Sequence, residues 1–547
     1  MTCQHKIIFP QYARGKDGIE IATGSSLLDH AWKLGIQMPS ACGGRGQCGK
    51  CVVRVDRGTE SLEPKTPTER GFPLADDERL ACQARVASDD CDIYLYIEAA
   101  GEYTILTESI EGHVPLEPFV CRKGDRVLWQ GQPAYDLGDY QGQLLGLAID
   151  VGTTTVVAQV LDLASGEVVV TLACKNPQAA YGDDVISRIG YTDQHPDGLA
   201  RLQTVVVNAV NAMLRDAEES GNRKLRDCIY EAVVVGNPTM RDLFFGHSVH
   251  SLGTSPYEPE DTSPINDRAR RLGLQISPEA NVYGAPLVAG QVGADTLALI
   301  LACDLYKGER PSMAVDIGTN GEVAVGNKHR ILAASNAAGG AFEGATVSCG
   351  TGAIQGAIQN VQIEDGQVRY ETIGGRTPPV GICGSGLIDL LAEMLREGII
   401  DSGGRFSVSH RASNEFVVAM DGRKIGIMQK DINELRLAKA GSALNQQTLM
   451  AKYGVDLHGL ERIYLAGGFG NYVDLDSATE IGILPNKRNK LAKIGNGALT
   501  GARQMLLCRQ RRADAEWIAP RIEHVKLSEA KDFLDRYIEQ LYLRRWP

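Results

Sequence analysis

LLGLAIDVGTTTVVAQV, residues Leu144–Val160, is an apolar run that ends in an aspartate, turns through Gly-Thr and resumes as a second apolar run. SMAVDIGTNGEVAVG, residues Ser312–Gly326, repeats the pattern. Asp150 aligns with Asp316, Gly152 with Gly318 and Thr153 with Thr319, each at an offset of 166 residues. A repeat at domain-sized spacing predicts two similar folds facing each other. Each copy reads as strand, tight turn and return strand. The strand-end aspartate suits Mg²⁺ held through water. The Gly-Thr turn lets backbone N–H and hydroxyl groups approach phosphate oxygens. A third element, RIYLAGGFGNYVD, predicts a strand ending in Gly467, Gly468 and Gly470, where backbone can lie flat against a base or ribose. Near the end, KIGNGALTGARQML runs from a glycine turn into a helix.

Working outward, the 547 residues predict three or four domains. Lys plus Arg number 56 and Asp plus Glu 68, a net charge of −12, which argues against nucleic-acid binding. No apolar run is long enough to span a membrane, and the first residues lack a signal-peptide pattern, so a cytoplasmic protein with no membrane partner is expected. Of 13 cysteines, most are scattered singly through apolar stretches, as reduced thiols that pack as small hydrophobes.

One stretch differs. ACGGRGQCGKCVVRV, Ala41–Val55, places Cys42, Cys48 and Cys51 in ten residues among glycines, and Cys82 follows in DERLACQARV. Four thiolates suit an iron–sulfur cluster or zinc, but structural zinc favours paired C-x-x-C knuckles and only one is present. Gly43, Gly44, Gly46 and Gly49 supply the unusual backbone angles of a loop wrapped round a cluster. Capped helix GSSLLDHAWKLGI and strands KCVVRV and CDIYLYIE flank it. This segment, residues 1–97, resembles the β-grasp [2Fe–2S] ferredoxin domain, which implies Cys42, Cys48, Cys51 and Cys82 as ligands. Cys3 and Cys91 are read as non-ligands. Residues 98–143, rich in Gly, Pro and charge, are expected to be a linker or small linker domain.

Residues 144–547 resemble the actin, sugar kinase and heat-shock chaperone superfamily, whose ATPase domain is built from two RNase-H-like halves around a nucleotide cleft. The resemblance implies Asp150, Gly152, Thr153, Thr154 and Thr155 as the first phosphate loop, and Asp316, Gly318, Thr319, Asn320 and Gly321 as the second. Gly467, Gly468 and Gly470 would face adenosine, and GNGAL from Gly495 looks like a hinge. Asp150 and Asp316 are the candidate catalytic carboxylates, positioning metal-bound water and phosphate. Glu343 in GGAFEG is read two ways, as orienting the attacking water or as a salt-bridge residue. Lys439 is read as reaching a phosphate or as a solvated helix lysine. Cys349 and Cys383 are read as packed thiols.

The fused chain as a whole resembles the reductive activators of corrinoid proteins. VVVGNPTMRDLFFG, PLVAGQVGADT, AAGGAFEGATVSCGTGAI, GICGSGLIDLLAEM and QKDINELRLAKAGS extend the likeness through the ATPase part. The resemblance implies a [2Fe–2S] cluster and MgATP as cofactors, a corrinoid protein as partner, an upstream electron donor or reductase, and dimerisation without an interface signature in the residues. The implied reaction returns one electron to Co(II), regenerating Co(I). That is uphill from a cluster near about −400 mV, so ATP must drive it through closure of the cleft. The segment before residue 144 is too short for the separate middle domain of some members. The competing readings are an activator of another low-potential metalloenzyme, a small-molecule kinase with an appended ferredoxin domain, and a chaperone-like module.

Overall fold

The computed structural model describes residues 5–10, 18–34, 36, 38, 44–47, 49–72, 74–97, 114–318, 320–337, 340–344, 346–364, 366–375, 377–420, 424–467, 472–527 and 532–546. The chain divides into two compact units, residues 1–102 with 177–188 and residues 103–176 with 189–547.

In the first unit, β1 (Lys6–Ile8) and β2 (Gly18–Glu20) pair antiparallel. Helix α1 (Leu27–Lys33) begins at Ser26, whose hydroxyl accepts from the Asp29 N–H at 3.1 Å while the Asp29 carboxylate accepts from the Ser26 N–H at 2.9 Å. This reciprocal cap satisfies two amides that the first turn leaves without partners. Strands β3 (Val52–Arg57), β4 (Glu78–Leu80) and β5 (Ile93–Ile97) complete a sheet ordered β2-β1-β5-β3-β4, in which β1 and β5 run parallel. Alternate residues Ile93, Leu95 and Ile97 face the core with Ile7, Leu27, Leu28 and Val53. The mixed sheet around a short helix is the β-grasp fold expected from the flanks.

The second unit begins within the segment expected as a linker or small linker domain. Within the segment read as a linker, β6 (Val120–Lys123), β7 (Arg126–Trp129) and β8 (Tyr135–Asp139) form an antiparallel sheet ordered β6-β7-β8. Val120, Val127, Trp129 and Leu137 join the core of the residues that follow. The strands are short and their exposed faces polar, so composition alone resembled a tether.

Two larger sheets carry the repeat. In the first, β9 (Leu145–Val151), β10 (Thr155–Asp162) and β11 (Val168–Lys175) form an antiparallel meander, and β12 (Ile229–Gly236) and β14 (Asn281–Gly284) add in parallel on the other side of β9. The order is β11-β10-β9-β12-β14-β13, with β13 (Ile265–Arg268) at the edge. In the second, β15 (Ser312–Ile317), β16 (Asn320–Gly326) and β17 (Ile331–Ala337) repeat the meander, and β18 (Ile463–Ala466) and β19 (Leu491–Gly495) add in parallel to β15. That order is β19-β18-β15-β16-β17-β20, where β20 is Ile522–His524. In both copies the meander and the two parallel strands follow one topology, the sixth strand lying beyond the parallel strands in the first sheet and beyond the meander in the second, and both aspartates sit one residue from the end of the first strand. β9, β12 and β15 are buried along nearly their whole length, as strands covered on both faces must be.

The halves meet along helices. Ala294–Ala302 of the first half packs against Gly497–Leu507 of the second, so closely that a Cβ on Gly501 would stand 2.1 Å from the Ala298 carbonyl oxygen. Among the described residues no helix is long and apolar enough to cross a membrane.

Candidate functional site

Turn geometry sets the first loop. The Gly152 N–H donates to the Thr155 carbonyl at 3.0 Å, and a Cβ at 152 would lie 2.6 Å from that oxygen. Glycine is therefore required by the close approach. Asn176 fixes the turn from outside, donating to the Gly152 carbonyl at 2.8 Å, and Asn237 donates to the Thr153 hydroxyl at 2.9 Å. Thr154 turns the other way and donates to Glu343 Oε2 at 2.8 Å. In the second loop the Gly318 N–H donates to the Asn320 carbonyl at 3.2 Å. A Cβ on Gly318 would stand 3.7 Å from Glu343 Oε1, so the Glu343 carboxylate lies against both loops. Thr319 lies outside the described residues.

Asp150 and Asp316 come together across the cleft. Both are partly open to it yet surrounded by protein, and that desolvation dominates their chemistry. Burial pushes Asp150 up to about 7, opposed by a hydrogen bond from Asn496 Nδ2 at 2.8 Å and reinforced by the charge of Asp295. Burial likewise raises Asp316 to about 7, with the charges of Asp150, Asp295 and Glu343 adding. Asp295, at the start of helix Ala294–Ala302, is raised by burial to about 6. Glu322, opposite Asp316 in the ladder, is held well above the usual carboxylate range by burial and then by Asp295 and Asp316. So many buried carboxyls facing one another call for a cation. Yet among the described residues no three His, Cys, Asp or Glu side chains are close enough to ligate one metal. The arrangement suits a hydrated Mg²⁺ held through its waters and a polyphosphate, rather than a protein cage.

Asn496 and Asp295 were missed as site residues, although both lie in stretches the sequence singled out. Asn496 caps helix Gly497–Leu507, accepting from the Leu499 N–H at 2.8 Å, while its amide reaches Asp150. The segment expected as a hinge is thus a helix start that bonds one half to the other. Gly467, with φ of 110°, ends β18 against the second aspartate: a Cβ there would stand 2.8 Å from Asp316 Oδ1. Gly468 and Gly470 lie outside the described residues. Lys439 does neither thing expected of it. It is buried, and its Nζ donates to the carbonyls of Gln540 at 2.8 Å and Tyr542 at 2.9 Å, tying down the C-terminal segment. Cys383 is a packed thiol donating to the Ile358 carbonyl at 3.3 Å, and Cys349 packs against the main core of the second half.

In the first unit, Cys51 and Cys82 are buried, and the Ala81 N–H donates to the Cys51 carbonyl at 2.8 Å, joining the two cysteine-bearing segments. Glu69 holds the second in place: Arg79 Nε donates to it at 2.8 Å and the Leu80 N–H at 3.2 Å, all buried. Gly44, Gly46 and Gly49 have φ of 84°, 73° and 67°. A Cβ on Gly49 would meet Phe72 at 2.5 Å, and one on Gly46 would meet Gln83 at 2.8 Å. This left-handed cradle beside two buried thiols fits a [2Fe–2S] cluster. Cys42 and Cys48 lie outside the described residues.

Three family models match the chain: "2Fe-2S iron-sulfur cluster binding domain" over residues 13–87, "RACo middle region" over 145–308 and "C-terminal domain of RACo the ASKHA domain" over 310–546. The middle-region match therefore falls on the half that carries Asp150, not on the segment before it. "Corrinoid activation enzyme RamQ" of Eubacterium limosum is 30% identical over 97% of this chain and 98% of its own. "[Co(II) methylated amine-specific corrinoid protein] reductase" of Methanosarcina barkeri is 26% identical, over 73% of this chain and 77% of its own. A solved structure of a "Reductive activator for corrinoid,iron-sulfur protein" superimposes with a TM-score of 0.74 at 30% identity, covering 99% of each chain. With a cysteine-cradling β-grasp unit, paired aspartates in matching halves and a likeness that runs end to end, the chain belongs to the family of reductive activators of corrinoid proteins.

Proposed function

We propose that this protein reduces the Co(II) form of a corrinoid protein to Co(I), one electron at a time, at the expense of ATP. The observation that carries the reading is the meeting of Asp150 and Asp316, each raised by burial, in one chain with a thiol-lined β-grasp unit. When bound, the cluster supplies single electrons and MgATP supplies free energy through states of different partner affinity.

The chain's own residues divide the work. Residues 1–97 hold the electron carrier on Cys42, Cys48, Cys51 and Cys82. Residues 98–143 connect, and residues 144–547 bind nucleotide. Asp150 and Asp316 would hold a hydrated Mg²⁺ through its waters, with Asp295 beside them. Gly152, Thr153, Thr154 and Thr155 receive phosphate oxygens from one side, and Gly318, Thr319, Asn320 and Gly321 from the other. Glu343, already accepting from the Thr154 hydroxyl, orients the attacking water. Gly467, Gly468 and Gly470 form the adenosine side. With nucleotide bound, both loops would draw together on its phosphates and the halves would close about the helix seam, reopening on product release. A cytoplasmic setting with reduced thiols, a separate reductase that loads the cluster, and a homodimer complete the proposal; no nucleic acid or membrane takes part.

The test is anaerobic and optical. The reduced protein is mixed with a Co(II) corrinoid protein and Co(I) absorbance is followed with and without MgATP. Co(I) is expected only with MgATP. Cys51→Ser should lose the visible absorbance of the cluster and keep nucleotide binding, and Asp316→Ala should do the reverse. ATP turnover without Co(I), across several corrinoid proteins, would sink the reading and favour a kinase.

A further inference from the structure

A cavity of about 530 Å³, lined by none of the residues at the aspartate pair, lies on the second half between segment 404–411, which ends in the short helix Val408–Arg411, and the first two turns of helix Gln429–Tyr453. Three guanidinium groups line it, Arg405, Arg411 and Arg436, and no acidic side chain does. The molecule as a whole is acidic, at −12, and its buried arginines Arg79 and Arg512 pair with the carboxylates of Glu69 and Glu231. Among the described residues the side chains of Arg405, Arg411 and Arg436 form no ion pair with Asp or Glu. Three guanidinium groups gathered at one opening whose lining holds no carboxylate raise the free energy of the folded protein, offset in part by the Asp401 charge near Arg436, a departure from local rules that marks functional surfaces.

The groups are also held in place. Gln429 accepts from the Phe406 N–H at 3.3 Å and donates to the Gly404 carbonyl at 2.7 Å, fastening the loop that carries Arg405 to the helix. The Arg436 Nε donates to the Leu541 carbonyl at 3.0 Å and its Nη1 to Asn433 Oδ1 at 3.1 Å, holding the guanidinium at the cavity wall. Gln429, Asn433 and Arg436 are spaced by four and three residues, so they share one helix face. Phe406, buried, closes the floor. Burial lowers the Arg436 guanidinium from its ordinary value and the Arg405 charge lowers it further, against Asp401.

We propose that this cavity is a binding site for a small polyanion, a metabolite bearing two or more phosphate or carboxylate groups, read by the forks of Arg405, Arg411 and Arg436. Planar guanidinium forks match both groups two bonds at a time. The cavity is large enough for a ligand of metabolite size. The occupant would lie on the same helix turn whose Asp431 holds the Ser348 N–H at 2.8 Å, in the loop that follows Glu343.

The test is calorimetric titration of the full chain with its cleft saturated by a non-hydrolysable ATP analogue, so that only a second site is read. Pyrophosphate and citrate are the probes. Binding of either one is expected, weakening as salt rises, and at least ten-fold weaker in Arg405→Gln/Arg411→Gln, whose exposed side chains leave the fold intact. Arg436→Gln is expected to weaken it similarly. The stronger probe identifies the ligand as phosphate or carboxylate. No saturable binding of either probe, or equal binding in wild type and both variants, overturns the site.

Discussion

Replacing Asn496 separates two contributions that the structure places on one side chain. Its Oδ1 accepts from the Leu499 N–H at 2.8 Å and caps helix Gly497–Leu507, while its Nδ2 donates to Asp150 Oδ2 at 2.8 Å from across the two halves. Losing an Asn cap to Ala costs about 1 kcal/mol. A hydrogen bond to a charged group contributes ~1.5–3 kcal/mol. Asn496→Ala should therefore destabilise the second unit by ~2.5–4 kcal/mol. Asn496→Ser keeps a capping hydroxyl too short to reach Asp150, so it should lose only the larger share, ~1.5–3 kcal/mol. The assay is denaturant unfolding at a pH above the raised Asp150 value of about 7, where the group is a carboxylate. Trp129, Trp517 and Trp546 report the second unit, and cluster absorbance reports the first separately. Both variants should bind MgATP more weakly in proportion, because the bond sets where Asp150 points. If Asn496→Ser unfolds with wild type while Asn496→Ala does not, the residue is a cap only, and the bond between halves contributes nothing.

The small sheet is pinned by one buried carboxylate: Glu231 Oε1 accepts from Trp129 Nε1 and Arg512 Nη1, both at 2.9 Å. Glu231→Gln strands the Arg512 charge and should cost ~3–5 kcal/mol in the same unfolding assay, whereas Glu231→Gln with Arg512→Met should recover part of the loss. Gly467→Ala forces a Cβ to within 2.8 Å of Asp316 Oδ1 at a φ of 110°, and ATP turnover should fall by about 10²-fold with cluster absorbance unchanged. Burial lowers Lys439 from 10.5 to about 7, so the unfolded chain holds a proton that the folded one lacks between those values. Stability should rise with pH across that window, by up to about 1.4 kcal/mol per pH unit, and level off below about 7, where both states hold the proton, and above 10.5, where neither does. Lys439→Met should flatten that slope in thermal unfolding measured across the window.

What the sequence made legible follows from how directly each feature is written in residue type. The repeat at Asp150 and Asp316 was readable because a strand end, a forced glycine and an acidic group recur in fixed order, and five strands of each sheet, the meander and two parallel strands, follow one order as that recurrence requires. The thiols were readable because no core needs glycines with left-handed angles beside three cysteines. Lys439 was not, because a helix position says nothing of the chain that later folds over it: its partners Gln540 and Tyr542 are a hundred residues away and offer only backbone carbonyls. Glu231 was hidden in a buried apolar strand for the same reason, since its partners Trp129 and Arg512 come from segments far to either side. Asn496 shows the intermediate case. Its cap is local and visible in the sequence, but its bond to Asp150 spans 346 residues and exists only because the two halves close on each other. The same reasoning explains why Asp295 escaped notice. A single acid at a helix start is ordinary, and it becomes part of the site only when the matching strand ends of both halves bring Asp150 and Asp316 to it. The chemistry of the cleft is therefore a property of the repeat's pairing, and any change that misaligns the halves should disable Asp150, Asp295 and Asp316 together rather than one by one.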